Sequence, residues 1–554
     1  MNEPTASDAN RPTILEEVRS WSWPDRLLVA GAGLLAAYCL LQILQLRFGR
    51  DQGIYAVVAN AVLDGGMPYR EAWDFKPPGI FIVYALARGL FGRSEASIRI
   101  VEAMGFAALM PSFALLTRRF CGDLRPGLLG GAIAILIEAQ LEFWHTAQPE
   151  SFGGILTVFA IVLATWEVPA GKIGRGAWAS WVGAGLLVGA AGLMKPHLAG
   201  AAAVLGVYLV WRMRLLGHTL NRSLGAAAAL AIGAAATWGL CLAWFWTRGA
   251  LGDLHETLFV FAPGYAATTW DARSLPLFLY YGAQEWATGM SSLMALGLLA
   301  CLTLPRLGAR EREVFWIVLA TAAIHLVGIA LQSKFFQYHY GATLPLGAFL
   351  AGLGVWKGWS LAKRNATLGY PLFALIGYLG FEGRVPVRDL AQSFFERSWQ
   401  RTSLLLRGTP TDCENLAGKL YSVADVDYAA NAAVAAWIQA NSAATDSVYV
   451  WGFEPSIYDT AKRTPATRFI YNVPQRVSWE NKHARARLMS DLQRAKPKVI
   501  VVEHNDVFPV VTGNTLDSAS ALRTFPELET LIEERYDHRQ TMQDFDIYER
   551  RMGD

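Results

Sequence analysis

The chain has 554 residues, 53% hydrophobic and only 17% charged, where a soluble globular protein carries about 25% charged residues. The deficit lies in the first two thirds, where apolar runs recur that are long enough to cross a hydrocarbon core of roughly 30 Å. This excludes an ordinary soluble protein and predicts a polytopic α-helical membrane protein. A formal net charge of +3 is too small to point to nucleic acid, and five scattered cysteines form neither a CxxC pair nor a Cys/His cluster.

In chain order, residues 1–26 are polar and mixed in charge, too long and too acidic for the n-region of a cleaved signal peptide. Apolar spans are predicted at 27–46, 98–117, 127–143, 152–168, 178–194, 198–211, 224–246, 289–305, 314–332, 340–356 and 366–380. The run 79–92 follows two prolines, contains Arg88 and is too short to span, which fits a helix lying in the interface. Loop charge agrees. With 79–92 on the membrane, Arg118, Arg119, Arg125, Lys172, Arg212, Arg310 and Lys363 all fall on one side with the N-terminus, which the positive-inside rule makes cytoplasmic. The polar residues that lipid disfavours then collect on the outer face, in the loop 47–97, around 144–151, at 195–197, in 247–288 and at 334–340.

The transmembrane part is predicted over 27–380, followed by a charged connector over 381–426 and a small extracytoplasmic α/β domain over 427–554. In that domain a helix is expected from Tyr428, strands at 447–452, 467–471 and 498–503, a helix at 480–495, and an edge strand or hairpin at 543–550. It carries no nucleophile elbow, P-loop or GxGxxG. The predicted role is acceptor positioning or folding rather than chemistry.

Four polar elements on the outer face are candidates for chemistry. The first, Asp51-Gln52-Gly53-Ile54-Tyr55, puts a carboxylate at the membrane lip, able to take a proton from an incoming hydroxyl; the plain alternative is an ion pair with Arg47 or Arg50. In the second, Asp74-Phe75-Lys76-Pro77-Pro78, the prolines force extended backbone before them and present Lys76 as a point charge for a lipid phosphate, against simple snorkelling. The third is the break Trp144-His145-Thr146-Ala147-Gln148-Pro149-Glu150. Glu150 is a candidate second acid and, with His145, a candidate metal ligand; the alternative is a mere turn. The fourth comprises Lys195-Pro196-His197 and Lys334–Tyr340, where Lys195, His197 and His339 are candidate phosphate partners and Tyr338 and Tyr340 are candidate substrate contacts or belt residues.

The order of a span, an Asp-containing loop with an amphipathic helix, a Lys-Pro-Pro helix and then a bundle resembles the integral-membrane GT-C glycosyltransferases. The similarity is to their bacterial branch, akin to protein O-mannosyltransferases and lipid A aminoarabinose transferases. The resemblance covers about residues 27–380 and is most specific over 51–78. It implies a glycosyltransferase of a bacterial cell membrane using a polyprenyl-phosphate-linked sugar, with inversion. The acceptor would be a lipid, glycan or protein. It carries Asp51 over as base, Lys76 as the phosphate residue with Tyr55 and Asp74 beside it, and Glu150 as the later acid. A divalent ion is allowed and not demanded. Two positions depart from the pattern: Gln52 stands where a second acid is usual, and Phe75 replaces the Glu of Glu-Lys-Pro-Pro. A non-catalytic membrane subunit and a lipid-linked-sugar flippase are the competing readings. The flippase predicts mid-membrane charge and internal repeats, which the sequence lacks.

Overall fold

The computed structural model describes residues 12–166, 168–268, 274–289, 292–303, 307–382, 394–423 and 426–551. Among them eight helices are long and apolar enough to cross a membrane: α1 (Trp23–Ile43), α4 (Glu95–Cys121), α5 (Arg125–His145), α6 (Pro149–Trp166), α7 (Arg175–Met194), α8 (Pro196–Leu215), α9 (Leu220–Thr247) and α11 (Ala309–Gln332). Between α1 and α4 lie α2 (Arg50–Leu63) and α3 (Gly79–Phe91). The expected spans 289–305, 340–356 and 366–380 are also helical, as α10 (Ser292–Thr303), α12 (Leu344–Ala362) and α13 (Ala366–Glu382), but they fall outside the eight by length or polarity. The chain is a multi-pass membrane protein.

Helix α3 has 13 residues and leaves Leu86, Leu90 and Phe91 exposed on one side. Its Arg88, expected at the interface, is instead buried, donating to Asp459 at 2.5 Å and to Asn60 at 3.0 Å. At the other end of α3, Gly79 meets α7 so closely that a Cβ would stand 2.6 Å from the Leu193 carbonyl. That contact sets the Lys-Pro-Pro turn beside Lys195.

Helix α5 breaks at Glu142, whose φ of 63° and ψ of −179° are rare for a side-chain-bearing residue and cost about 1–3 kcal/mol. The break is held from outside. Arg401, on the connector helix α14 (Phe394–Arg407), grips the buried Glu142 carboxylate with two hydrogen bonds of 2.7 and 2.9 Å. The carbonyls of Phe143, Trp144 and Thr146 beyond the break face α2, where a side chain captures them.

The C-terminal part is a five-stranded sheet in the order β2-β1-β3-β5-β4, from β1 (Ser447–Trp451), β2 (Thr464–Pro465), β3 (Val499–Glu503), β4 (Tyr536–Met542) and β5 (Phe545–Arg550). Strand β1 pairs in parallel with β2 and β3, and β5 runs antiparallel to β3 and β4, with Val448 opposite Val499 and Val501 opposite Ile547. Helices α15 (Tyr428–Asn441) and α16 (Asn481–Ala495) match the expected ones. Two strand expectations change. The hairpin is present, but β5 is interior and β4 forms the edge. The strand expected at 467–471 is irregular backbone, because Arg468 gives its carbonyl to Trp73 N at 2.8 Å rather than to a neighbouring strand.

The α/β part is docked directly on the segment between α1 and α4. Gly53 of α2 lies under Ser456, where a Cβ would be 2.8 Å from the Ser456 nitrogen. Arg50 reaches into the sheet, donating to the Phe453 carbonyl at 2.6 Å and pairing with Glu454 at 2.8 Å between the rings of Phe453 and Phe508.

Candidate active site

The N-terminus of α2, the turn before α3 and the break after α5 converge on one buried polar group. Asp51, in the first turn of α2, receives Lys76 Nζ at 3.2 Å on Oδ1 and Gln148 Nε2 at 3.3 Å on Oδ2. The plain alternative partner Arg47 faces Glu95 at 3.4 Å instead. Lys76 is 7% exposed and stands 3.8 Å from Asp74 Oδ2, with its ammonium 5.1 Å from the centre of the Tyr55 ring. Tyr55 donates its hydroxyl to Gln148 Oε1 at 2.8 Å, so one amide links the tyrosine to the carboxylate. Tyr69 donates its hydroxyl to the Lys76 carbonyl at 2.8 Å, which ties the turn before α3 in place.

Burial alone would disfavour the Lys76 ammonium, but the carboxylates of Asp51 and Asp74 outweigh it and hold its pKa above the ordinary lysine value. Asp74 is fully buried, which pushes its pKa up against the opposing pull of Lys76 and of the Tyr471 hydroxyl. Tyr471 belongs to the C-terminal part and donates to Asp74 Oδ1 at 2.6 Å.

The two departures from the family pattern have structural jobs. Gln52 accepts from Gly49 N at 3.0 Å and aims its amide nitrogen at the carbonyls of Phe143, Trp144 and Thr146, at 2.9, 3.0 and 2.6 Å. A carboxylate there would have no proton to give those oxygens. Phe75 packs among Trp73, Phe261 and Tyr265, with ring centres 4.5 Å apart for the last.

A second pair lies alongside. Glu150 is buried at the start of α6, with Lys195 Nζ at 3.1 Å and His339 Nε2 at 4.0 Å; His339 Nδ1 is held by the Lys334 carbonyl at 2.8 Å. The ring of Tyr338 packs between Phe336 and His339 and stacks 6.1 Å from His145, which also stacks on Trp144. His197 turns toward α11, its Nδ1 2.7 Å from Gln332 Nε2. Tyr340 is buried, and no hydrogen bond or ion pair joins its ring to Asp51 or Glu150 among the described residues. His255 stacks on Phe259, 5.6 Å away.

Among the described residues the side chains around Asp51 and Glu150 are matched by cations of this chain rather than grouped as a ligand set. An ammonium of this chain stands beside both Asp51 and Asp74, and Glu150 is matched by Lys195. Among the described residues no three His, Cys, Asp or Glu side chains gather in metal-binding range.

The structure brings Asp51, Tyr55, Asp74 and Lys76 together, while Glu150, expected to assist Asp51 or to hold a metal with His145, meets Lys195 and His339, which were expected at a phosphate. Sequence reasoning missed Tyr471, which lies hundreds of positions away in a buried run with no local signal, and it undervalued Gln52 and Gln148. A glutamine that opens a helix beside a candidate acid was the available hint.

Residues 428–551 match a family model described as "Putative competence-induced protein Ccs4 C-terminal domain". No curated protein sequence matches the chain. Among solved structures it is similar to ArnT from Cupriavidus metallidurans bound to undecaprenyl phosphate, with a TM-score of 0.57 at 13% identity over 95% of this chain and 98% of that one. The same ArnT in the apo state gives a TM-score of 0.56 at 14% identity over 94% and 97%. The chain therefore has the fold of the GT-C integral-membrane glycosyltransferases.

Proposed function

We propose that the chain is a glycosyltransferase that moves a sugar from a polyprenyl-phosphate-linked donor to an acceptor at the outer face of a bacterial cell membrane, with inversion at the anomeric carbon. The observation that carries this reading is the pair of half-buried Asp51 with buried Lys76, on a fold shared with a protein crystallised with undecaprenyl phosphate.

The donor's phosphate takes Lys76 as its partner and thereby frees Asp51 Oδ1. Asp51 then accepts the proton of the acceptor hydroxyl. The bond from the anomeric carbon to phosphate oxygen breaks with oxocarbenium character, and the acceptor oxygen bonds the opposite face of the sugar. The departing charge falls to Lys76, acting as a point charge in a site shielded from water. Because attacking and leaving oxygens lie on opposite faces, the 3.2 Å contact between Asp51 and Lys76 opens during turnover. Gln148 fixes the Asp51 carboxylate through its bond to Tyr55. Lys195, held by Glu150, supplies a second cation to the phosphate, with His339 as a hydrogen-bonding neighbour.

Purified protein is incubated with a panel of polyprenyl-phosphate sugars and turnover is measured. Asp51→Asn is expected to lower kcat by about 10²–10⁴, the range for a lost general base. Lys76→Ala is expected to raise the KM for donor as well. Unchanged donor turnover in Asp51→Asn overturns the mechanism.

A further inference from the structure

A polar cleft of about 810 Å³ opens between the first outer loop and the α/β part, outside the Asp51–Lys76 group. Its charges do not cancel. Every carboxylate on its walls already has a cation: Asp64 has Arg93, Glu71 has Arg70, Asp459 has Arg88 and Asp491 has Arg494. Lys462 and Arg487 line the cleft, are exposed, and have no carboxylate partner among the described residues. Arg463 bonds Ser442 and the carbonyls of Gln439, Ala461, Ser442 and Lys462, so its N–H groups are in use and it adds positive charge to the cleft without a free donor.

Arg468 is the fourth cation. It is 6% exposed, gives one nitrogen to the Tyr69 carbonyl and to Asp253, and leaves its Nε without a hydrogen-bond partner. Burial and the like charge of Arg487 both oppose its ionised form. Adjacent guanidiniums with unused N–H groups are relieved by an anion, and their planar forks fit carboxylate or phosphate. Between these cations, Thr464 adds an exposed hydroxyl and Pro465 and Ala466 add apolar surface for a ring face.

We propose that this cleft binds an anionic saccharide, its phosphate or carboxylate drawn by Lys462, Arg463, Arg468 and Arg487. The cleft adjoins the reacting group. Ala72 lines it, and Asp74 is two residues on, at most about 7 Å of backbone at roughly 3.3–3.6 Å per residue. Both ends of that stretch are tied to one segment of the α/β part, Trp73 to Arg468 and Asp74 to Tyr471. The binding stands apart from the transferase reading; only the ligand's role as acceptor rests on it.

Full-length protein in detergent is titrated calorimetrically with glucose 1-phosphate and with glucose. Glucose 1-phosphate is expected to bind and glucose not. Lys462→Glu with Arg487→Glu is expected to weaken binding tenfold or more, and the charge-neutral pair Lys462→Met with Arg487→Met by an intermediate factor. Both side chains are exposed, so the changes leave packing intact. Asp51→Asn is expected to lower transfer by about 10²–10⁴ and keep the titration unchanged, which separates failure of the mechanism from failure of the site. Absence of binding to wild type, equal binding of the two sugars, or binding that survives both charge variants overturns the proposal. Displacement of glucose 1-phosphate by phosphatidylglycerol nanodiscs overturns the saccharide assignment in favour of a lipid headgroup.

Discussion

Single side chains decide whether the reacting group forms. Gln52 stands where the family pattern has an acid, and its amide nitrogen serves three carbonyls that the break at Glu142 releases. Gln52→Glu is nearly isosteric, yet it sets carboxylate oxygens against carbonyl oxygens in a buried place. Leaving buried groups unsatisfied costs about 1–3 kcal/mol each, so a lower thermal midpoint together with lost turnover is expected; wild-type stability would show that Gln52 does not pin this turn. Tyr471 acts through Asp74. Burial raises the Asp74 pKa, and the Tyr471 hydroxyl opposes that by bonding the ionised form. Tyr471→Phe removes the opposing bond, so the Asp74 pKa rises further and the acid limb of the pH–activity profile moves to higher pH. A fall in kcat with the limb unmoved would mark Tyr471 as packing alone. Asp51 and Lys76 were legible as members of one polar group because charge at a membrane lip is costly. Tyr471 was not, since a hydrogen bond across 397 positions leaves no trace in local pattern.

Among the elements, α2 joins the helical part to the α/β part. Its first residue, Arg50, enters the α/β part, while its second, Asp51, faces the reacting group. Removing the guanidinium leaves Glu454 and Glu503 buried without their cation. Breaking a buried pair in this way costs about 3–5 kcal/mol. Arg50→Ala is therefore expected to loosen the α/β part, read as faster proteolysis within 427–551 while the helical part stays intact; equal proteolysis rates would refute the docking role. Apolar length and hydropathy made most membrane helices legible, and short continuous apolar runs made β1 and β3 legible. The break inside α5 was not, because it depends on Arg401 reaching Glu142 from a distant helix. The same holds for 467–471, whose backbone bonds the outer loop in place of a strand.

For the molecule as a whole, the side of the membrane on which the group faces is set by α3. If α3 lies in the interface, the loops rich in arginine and lysine fall together on the cytoplasmic side, and the α/β part, bolted to α2 and α3 through Arg50 and Arg88, is outside with the reacting group. If α3 crossed, every later loop would change sides and the charge bias would invert. The packing favours the first arrangement: α3 has 13 residues, about 20 Å at 1.5 Å each, against a core of roughly 30 Å. Ser94, exposed just after α3, reports the difference. Of the native cysteines, Cys39, Cys241 and Cys301 are buried, so their labelling background is small. In intact spheroplasts, a membrane-impermeant maleimide is expected to label Ser94→Cys at once, before any lysis. Labelling only after the membrane is opened would place this loop in the cytoplasm and carry the α/β part and the proposed reaction with it.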